Sequence, residues 1–299
     1  MAGALPSGIR TAAATSLAAG RTEPRWVRWT LTAIAVGFVG LIVAVPVAAI
    51  VAQAGSGGWR VFVAAVDDPA ARAAIRLTLT VALIAVPLNV VFGVAAAWAI
   101  ARFRFRGRAL LITLIDLPFA VSPVIAGMVF VLLFGRHGVL GPWLAAHGWK
   151  VVFALPGLVL ATVFVTFPFV ARELIPVMEA QGAEEEEAAV TLGATGWQTF
   201  WRVTLPRIKW GLAYGVILCT ARALGEFGAV SVVSGHIRGR TNTVPLHVEI
   251  LYNEYQYAAA FAVASLLLVI ALITLVLRRL IERRISADER VALPKAHTP

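Results

Sequence analysis

Ala258-Ala-Ala-Phe-Ala-Val-Ala-Ser-Leu-Leu-Leu-Val-Ile-Ala-Leu-Ile-Thr-Leu-Val-Leu277 runs without one ionisable side chain. At 1.5 Å per helical residue such a stretch crosses ~30 Å of hydrocarbon. It does not alternate apolar with polar residues, as the ~10-residue strands of a membrane barrel do. Lipid leaves backbone N–H and C=O groups without partners, so a single spanning segment of this kind has to be helical. Five similar runs precede it, at about 31–51, 77–101, 110–134, 152–175 and 211–234. The fourth is interrupted by Pro168 and Pro176, which membrane helices tolerate where neighbours satisfy the freed carbonyls. The composition agrees: 60% of residues are hydrophobic and 14% charged, against roughly 25% charged in soluble domains. The chain therefore reads as an all-α polytopic membrane protein with six transmembrane helices over residues 29–280. Residues 1–28 read as a poorly ordered cytoplasmic tail and residues 281–299 as a second cytoplasmic tail.

The formal net charge of +10 raises the possibility of nucleic acid, but the distribution of the basic residues points to lipid. With the N-terminus placed in the cytoplasm, eighteen Lys and Arg residues fall on cytoplasmic segments, among them Arg10, Arg21, Arg102 and Lys295. Seven fall outside, and Arg222 lies within a span. This bias predicts that both termini are cytoplasmic. Trp29, Trp98, Trp149, Trp210, Tyr255 and Tyr257 fall near span ends, where amphipathic rings favour the headgroup layer. The single cysteine, Cys219, cannot form an internal disulfide and reads as a small apolar residue facing lipid or a neighbouring helix.

No G-x-x-x-x-G-K-[ST] phosphate loop, H-E-x-x-H or G-x-S-x-G occurs in the chain. The five histidines lie scattered in loops and tail without metal-ligand spacing. The sequence thus predicts no catalytic residues, no metal and no cofactor, and if ATP is used another chain must bind it.

The loop between the fourth and fifth spans, 176–209, is the most informative polar stretch. It reads Glu184-Glu-Glu-Glu-Ala-Ala-Val-Thr-Leu-Gly193, then Ala-Thr-Gly-Trp-Gln-Thr-Phe-Trp-Arg-Val-Thr-Leu-Pro206. Four glutamates at a helix N-terminus complement its dipole, and Gly193 stands where a left-handed residue ends a helix. Thr195 and Gln198 form a capping-box pattern for a second short helix, which Pro206 is expected to limit. Helices of about nine residues are marginal in water and need a surface to dock on, either their own membrane domain or a partner. The spacing E-A-A-x₃-G-x₉-[IV]-x-L-P, carried here by Glu187, Ala188, Ala189, Gly193, Val203, Leu205 and Pro206, resembles the signature of permease subunits of ATP-binding-cassette importers. That resemblance implies the type I importer permease fold. It also implies a coupling helix that inserts into a cleft on a separate ATPase subunit, with Glu187 and Gly193 at the docking surface.

Two charges stand inside the fifth span, Arg222 and, one turn on, Glu226. A charge at mid-membrane costs about 2.5 kcal/mol or more and faces the interior. Either the pair neutralises itself and locks helix packing, or Arg222 offers positive potential to a passing anion while Glu226 holds it. Ser231 and Ser234 follow, with hydroxyls that could surround an oxyanion or belong to an ordinary polar segment. Pro118, Ser122 and Pro123 bend the third span, at a gate or merely at a packing kink. The run Arg222-Ala-Leu-Gly-Glu-Phe-Gly-Ala-Val-Ser-Val-Val-Ser-Gly235 is similar to that of W-type permeases of sulfate/thiosulfate importers. So is Thr243-x-Pro-Leu-x-x-Glu-Ile-Leu-Tyr-x-x-Tyr255. Asp116-Leu-Pro-Phe-Ala-Val-Ser-Pro-Val-Ile-Ala-Gly127 also resembles that group and related molybdate permeases. The likeness, covering about 72–280, implies a bacterial inner-membrane protein paired with a homologous T-type permease. Two ATPase copies and a periplasmic sulfate-binding protein would complete the assembly. A molybdate/tungstate permease is the alternative within the class. An intramembrane enzyme built on Arg222, Glu226 and Asp116, or a transporter working alone, are the alternatives outside it.

Overall fold

The computed structural model describes residues 24–292. The expectations for residues 1–23 and 293–299, including Arg10, Arg21 and Lys295, lie outside them. Every element among the described residues is helical. Four helices are long and apolar enough to cross a membrane, and two bent pairs bring the number to as many as six.

Residues up to Ile50 form one unit and those from Val51 a second. The first is represented by helix α1 (Arg25–Gly55) up to Ile50; the helix carries Pro46 inside it, and its last five residues are counted with the second unit. It begins at Arg25, so the last residues of the expected tail are helical. In the second unit, α2 (Gly58–Asp67) leads through Asp68 into α3 (Pro69–Arg102). The Asp68 carboxylate accepts from the N–H groups of Ala70 and Ala71 at 2.8 and 3.1 Å, and Pro69 occupies a first-turn position that needs no donor. α3 therefore starts eight residues before the expected 77.

The third span is two helices, α4 (Arg108–Ala120) and α5 (Pro123–Phe134), bent by 107°. The bend falls at Val121 and Ser122. Pro123 opens α5, while Pro118 is accommodated inside α4. After the short α6 (Gly141–Ala146), α7 (Leu155–Gln181) passes through both Pro168 and Pro176. Residues 176–181, expected in the loop, are thus its last turns. α7 is the hub: it packs on α3, on α4, and on the helix that follows the loop, α10 (Leu205–Leu224). Small residues at these crossings let backbones approach closely, the usual packing device within a membrane. Ala97 of α3, Ala171 of α7 and Ala223 of α10 are all buried there.

Within the loop lie α8 (Glu184–Thr191), α9 (Gly196–Thr199) and a π turn over Phe200–Thr204 that runs into α10. Past α10, α11 (Gly228–Ser234) sets off at 48°, so the expected span 211–234 is broken at Gly225–Phe227. α12 (Val244–Asn253) buries Val244, Leu246, His247 and Leu251 and packs on α13 (Tyr257–Ala292). α13 contains the uncharged run from Ala258 to Leu277. It also carries the expected tail residues 281–292 as helix.

Candidate functional site: the coupling loop and the paired helix breaks

Ala188, Thr191, Leu192 and Gly193 are exposed, as is Glu187. Gly193 has φ +90°, the left-handed conformation that costs a residue with a Cβ about 1–2 kcal/mol. Its N–H donates to Val190 O at 2.9 Å, and that of Ala194 to Ala189 O at 3.0 Å, closing α8 as the sequence predicts. The Thr195–Gln198 capping box is formed in both directions. Leu192 is 89% exposed, Trp197 71% and Val190 56%. Apolar side chains this bare on a polar loop are what a docking surface needs.

Pro206 does not end the second helix. The backbone from Gly196 to Leu224 is one continuous helical rod, and the π turn just before Pro206 takes up the ring and its missing N–H. Val203 is half-buried in that turn, and Leu205 and Pro206 form the first turn of α10.

The loop is pinned to the bundle by contacts the sequence reading missed. Arg102, at the end of α3, grips Glu186 with two nitrogens: Nε donates to Oε2 at 2.8 Å and Nη2 to Oε1 at 3.2 Å. The two side chains are only 8% and 12% exposed. Nη1 of the same arginine donates to Met178 O at 2.7 Å, and Thr204 Oγ1 donates to Glu186 Oε1 at 2.8 Å. Arg207 adds an ion pair to Glu185 at 3.2 Å and donates to Gln181 O at 3.0 Å. Of the four glutamates read as dipole partners, Glu185 and Glu186 are therefore anchors, while Glu187 points outward. Arg102 and Glu186 stand 84 residues apart, and no local pattern marks them as a pair.

At the break between α10 and α11, Arg222 Nη1 lies 2.5 Å from Glu226 Oε2. Glu226 is 1% exposed and Arg222 33%. The other carboxylate oxygen, Oε1, accepts from the N–H of Ala229 at 2.9 Å. Glu226 thus closes the broken end of α11 as well as neutralising the arginine, and the arginine keeps one open face. Ser231 Oγ donates to Gly228 O at 2.8 Å. Ser234 is fully buried, donating to Ser231 O and accepting from the N–H of His236.

The bend between α4 and α5 lies beside this break. A Cβ placed on Gly228 would stand 2.9 Å from Pro123 Cβ, and one on Gly127 would stand 2.7 Å from Ala229 O. The structure therefore brings Pro123 against Gly228, two residues past Glu226, and so joins two regions that the sequence reading treated separately. Asp116 does not join them: it pairs with Arg172 of α7 at 2.5 Å. Cys219 is buried between Asn89 Nδ2 at 3.6 Å and Thr166 O at 3.7 Å.

Residues 89–287 match the family described as the binding-protein-dependent transport system inner membrane component. The chain is 55% identical over 261 residues to the sulfate transport system permease protein CysW of Synechococcus elongatus, covering 87% of this chain and 91% of that protein. It is 50% identical to the protein of the same name from Escherichia coli K12, covering 91% and 94%. A bacterial alginate ABC transporter, solved with an alginate pentasaccharide-bound periplasmic protein, superposes with a TM-score of 0.73. It is 19% identical, with 87% of this chain and 95% of that one covered, and so shares the fold. A polytopic helical bundle with a pinned, outward-facing Glu-Ala-Ala helix and a match over most of its length belongs to the inner-membrane components of binding-protein-dependent transport systems.

Proposed function

We propose that this chain is the permease subunit of a bacterial ATP-driven importer that moves sulfate or thiosulfate across the inner membrane. Its energy would come from ATPase subunits on other chains. The observation that carries the reading is α8: a two-turn helix with bare apolar neighbours, held rigidly by the buried Arg102–Glu186 pair. Such a helix is a rigid contact for a partner rather than a loose loop. The names of the relatives supply the substrate, and the positive-inside bias puts α8 and both termini in the cytoplasm. The complete assembly would hold two ATPase copies, a homologous T-type permease and a periplasmic sulfate-binding protein.

In this reading, motion of the ATPase pair reaches α8 and passes by two routes. One is Arg102 into α3; the other is the α9–α10 rod. The rod ends at the Gly225–Phe227 break, against the α4/α5 bend, where Pro118, Ser122 and Pro123 form the gate region. Arg222, with Glu226 holding it from behind, turns its open face toward the passing dianion, and Ser231 and Ser234 shape the same segment. The Asp116–Arg172 pair leaves an enzyme built on Asp116, Arg222 and Glu226 without support.

Uptake of labelled sulfate against labelled molybdate in a deletion strain carrying this gene tests the substrate. Co-purification of an ATPase subunit, and its loss on Gly193→Glu, tests the coupling. Uptake that survives Gly193→Glu undiminished would remove the assignment.

A further inference from the structure

The hairpin joining α5 to α7 holds a cavity of about 860 Å³ that the transport reading leaves unused. Leu132, Leu144, Trp149 and Phe153 line its walls, and Arg136, His137 and Lys150 are also part of the lining. No Asp or Glu occurs anywhere between Asp116 and Glu173, so Arg136 and Lys150 have no acidic partner within their own segment. The two other segments that the positive-inside bias puts outside do contain acidic residues: Arg72 pairs with Asp67 at the start of α3, and after α11 Arg238 pairs with Glu254 while His236 Nε2 lies 3.4 Å from Glu249.

The cavity has a fixed frame. Leu140 N–H donates to Leu133 O at 2.8 Å and Gly157 N–H to Val151 O at 3.0 Å. Phe153 is held at φ +58° with its N–H on Val233 O at 2.9 Å. A Cβ on Gly141 would lie 2.1 Å from Gly135 O, so the turn closes only with glycine there.

A cavity of this size suits a ligand with a sizeable apolar body and a few polar anchor points. A bare five-atom oxyanion fills little of it and gains nothing from aromatic walls. The charges ask for an anion and the walls ask for hydrocarbon. Trp149 and Trp143 add the aromatic signature of a membrane–water interface. We propose that this hairpin binds an anionic phospholipid of the outer leaflet, its phosphate against Arg136 and Lys150 and its chain along the apolar wall. The inference needs the chain to lie in a bilayer in the stated orientation; it does not need sulfate to be the cargo.

The test is native mass spectrometry of the purified full chain and of its assembled complex, titrated with phosphatidylglycerol or phosphatidylcholine. A basic residue near a headgroup is worth about 1 kcal/mol, or roughly fivefold, so Arg136→Gln/Lys150→Gln is expected to weaken phosphatidylglycerol retention about 25-fold. Phosphatidylcholine retention should stay unchanged, and Arg136→Lys/Lys150→Arg should retain phosphatidylglycerol as the parent does. Equal retention of phosphatidylglycerol by the Gln variant and the parent overturns the proposal. Displacement of the lipid by millimolar sulfate or phosphate would mark an oxyanion site instead and also overturn it. Loss of the lipid when the complex assembles would make the hairpin a protein contact, with the same consequence. A chain that keeps the lipid but carries no sulfate would leave this inference standing and remove the transport reading.

Discussion

Replacing Arg102 with alanine removes three hydrogen bonds and strands the Glu186 carboxylate in a pocket where 12% of its side chain is exposed. Breaking a buried ion pair by deleting one partner costs about 3–5 kcal/mol. With about a tenth of each side chain still wet, the lower end applies. α8 has eight residues, too few to hold together in water without its anchor, so the loss falls on local opening of the loop. About 3 kcal/mol is roughly a 150-fold change in an opening equilibrium. Hydrogen–deuterium exchange in nanodiscs reads it at the amides that close α8, those of Glu187, Leu192, Gly193 and Ala194. Arg102→Ala should speed their exchange by about two powers of ten, while the exposed neighbour Arg104→Ala leaves them unchanged. Arg102→Met/Glu186→Met should recover most of the protection, because an apolar pair leaves no buried charge. Exchange in Arg102→Ala within threefold of the parent would refute the anchor and, with it, the transmission route through α3.

Gly193→Ala forces a Cβ into φ +90° and should cost about 1–2 kcal/mol of loop stability. Complex assembly, scored by co-purification with the ATPase, should weaken while membrane insertion stays normal; unchanged assembly would count against the cap. Arg222→Gln should leave the complex assembled but abolish uptake. Glu226→Ala, which also deprives Ala229 N–H of its acceptor, should lower the melting temperature as well; an Arg222→Gln protein that fails to assemble would make the pair purely structural. His247 is 2% exposed in α12, and burial holds its imidazole below the ordinary histidine range, outweighing the upward pull of Asp68 and Glu254; Arg238 pushes the same way as burial. The unfolded chain therefore takes a proton near pH 6.5 that the folded one refuses. Stability is full above that pH and falls below it. Between pH 7.5 and 5.5 the melting temperature should drop more steeply than in His247→Leu, and parallel slopes would contradict this.

The spanning runs, the Gly193 stop, the Thr195–Gln198 box and the Arg222–Glu226 pair were legible because each is written within a few residues of itself. The bend of the third span was signalled by Pro118 and Pro123, and the structure puts it at Val121–Ser122. The break of the fifth span at Gly225–Phe227 was not read, because Glu226 was taken only as the partner of Arg222; there α11 sets off against α5, on which it packs. α2 and α12 were missed because each is ten residues long, too short for a spanning pattern, and α12 is buried by partners distant in sequence. Pro206 was misread as a terminator, since a π turn ahead of a proline leaves no local mark. The Arg102–Glu186 anchor was hidden most thoroughly: one partner counted toward membrane orientation and the other toward a helix dipole. Their meeting depends on how α3 and α7 cross.

The unbroken rod from Gly196 to Leu224 has a mechanical corollary. Under the proposed function, a shove at its foot that the π turn over Phe200–Thr204 does not absorb is carried along the α-helical stretch Leu205–Leu224. That stretch ends at the three-residue gap Gly225–Phe227, wedged beside the elbow of its neighbour. In the proposed coupling, work delivered at that foot would be released where two discontinuities meet, and lengthening that gap by one glycine would turn the strut into a slack tether.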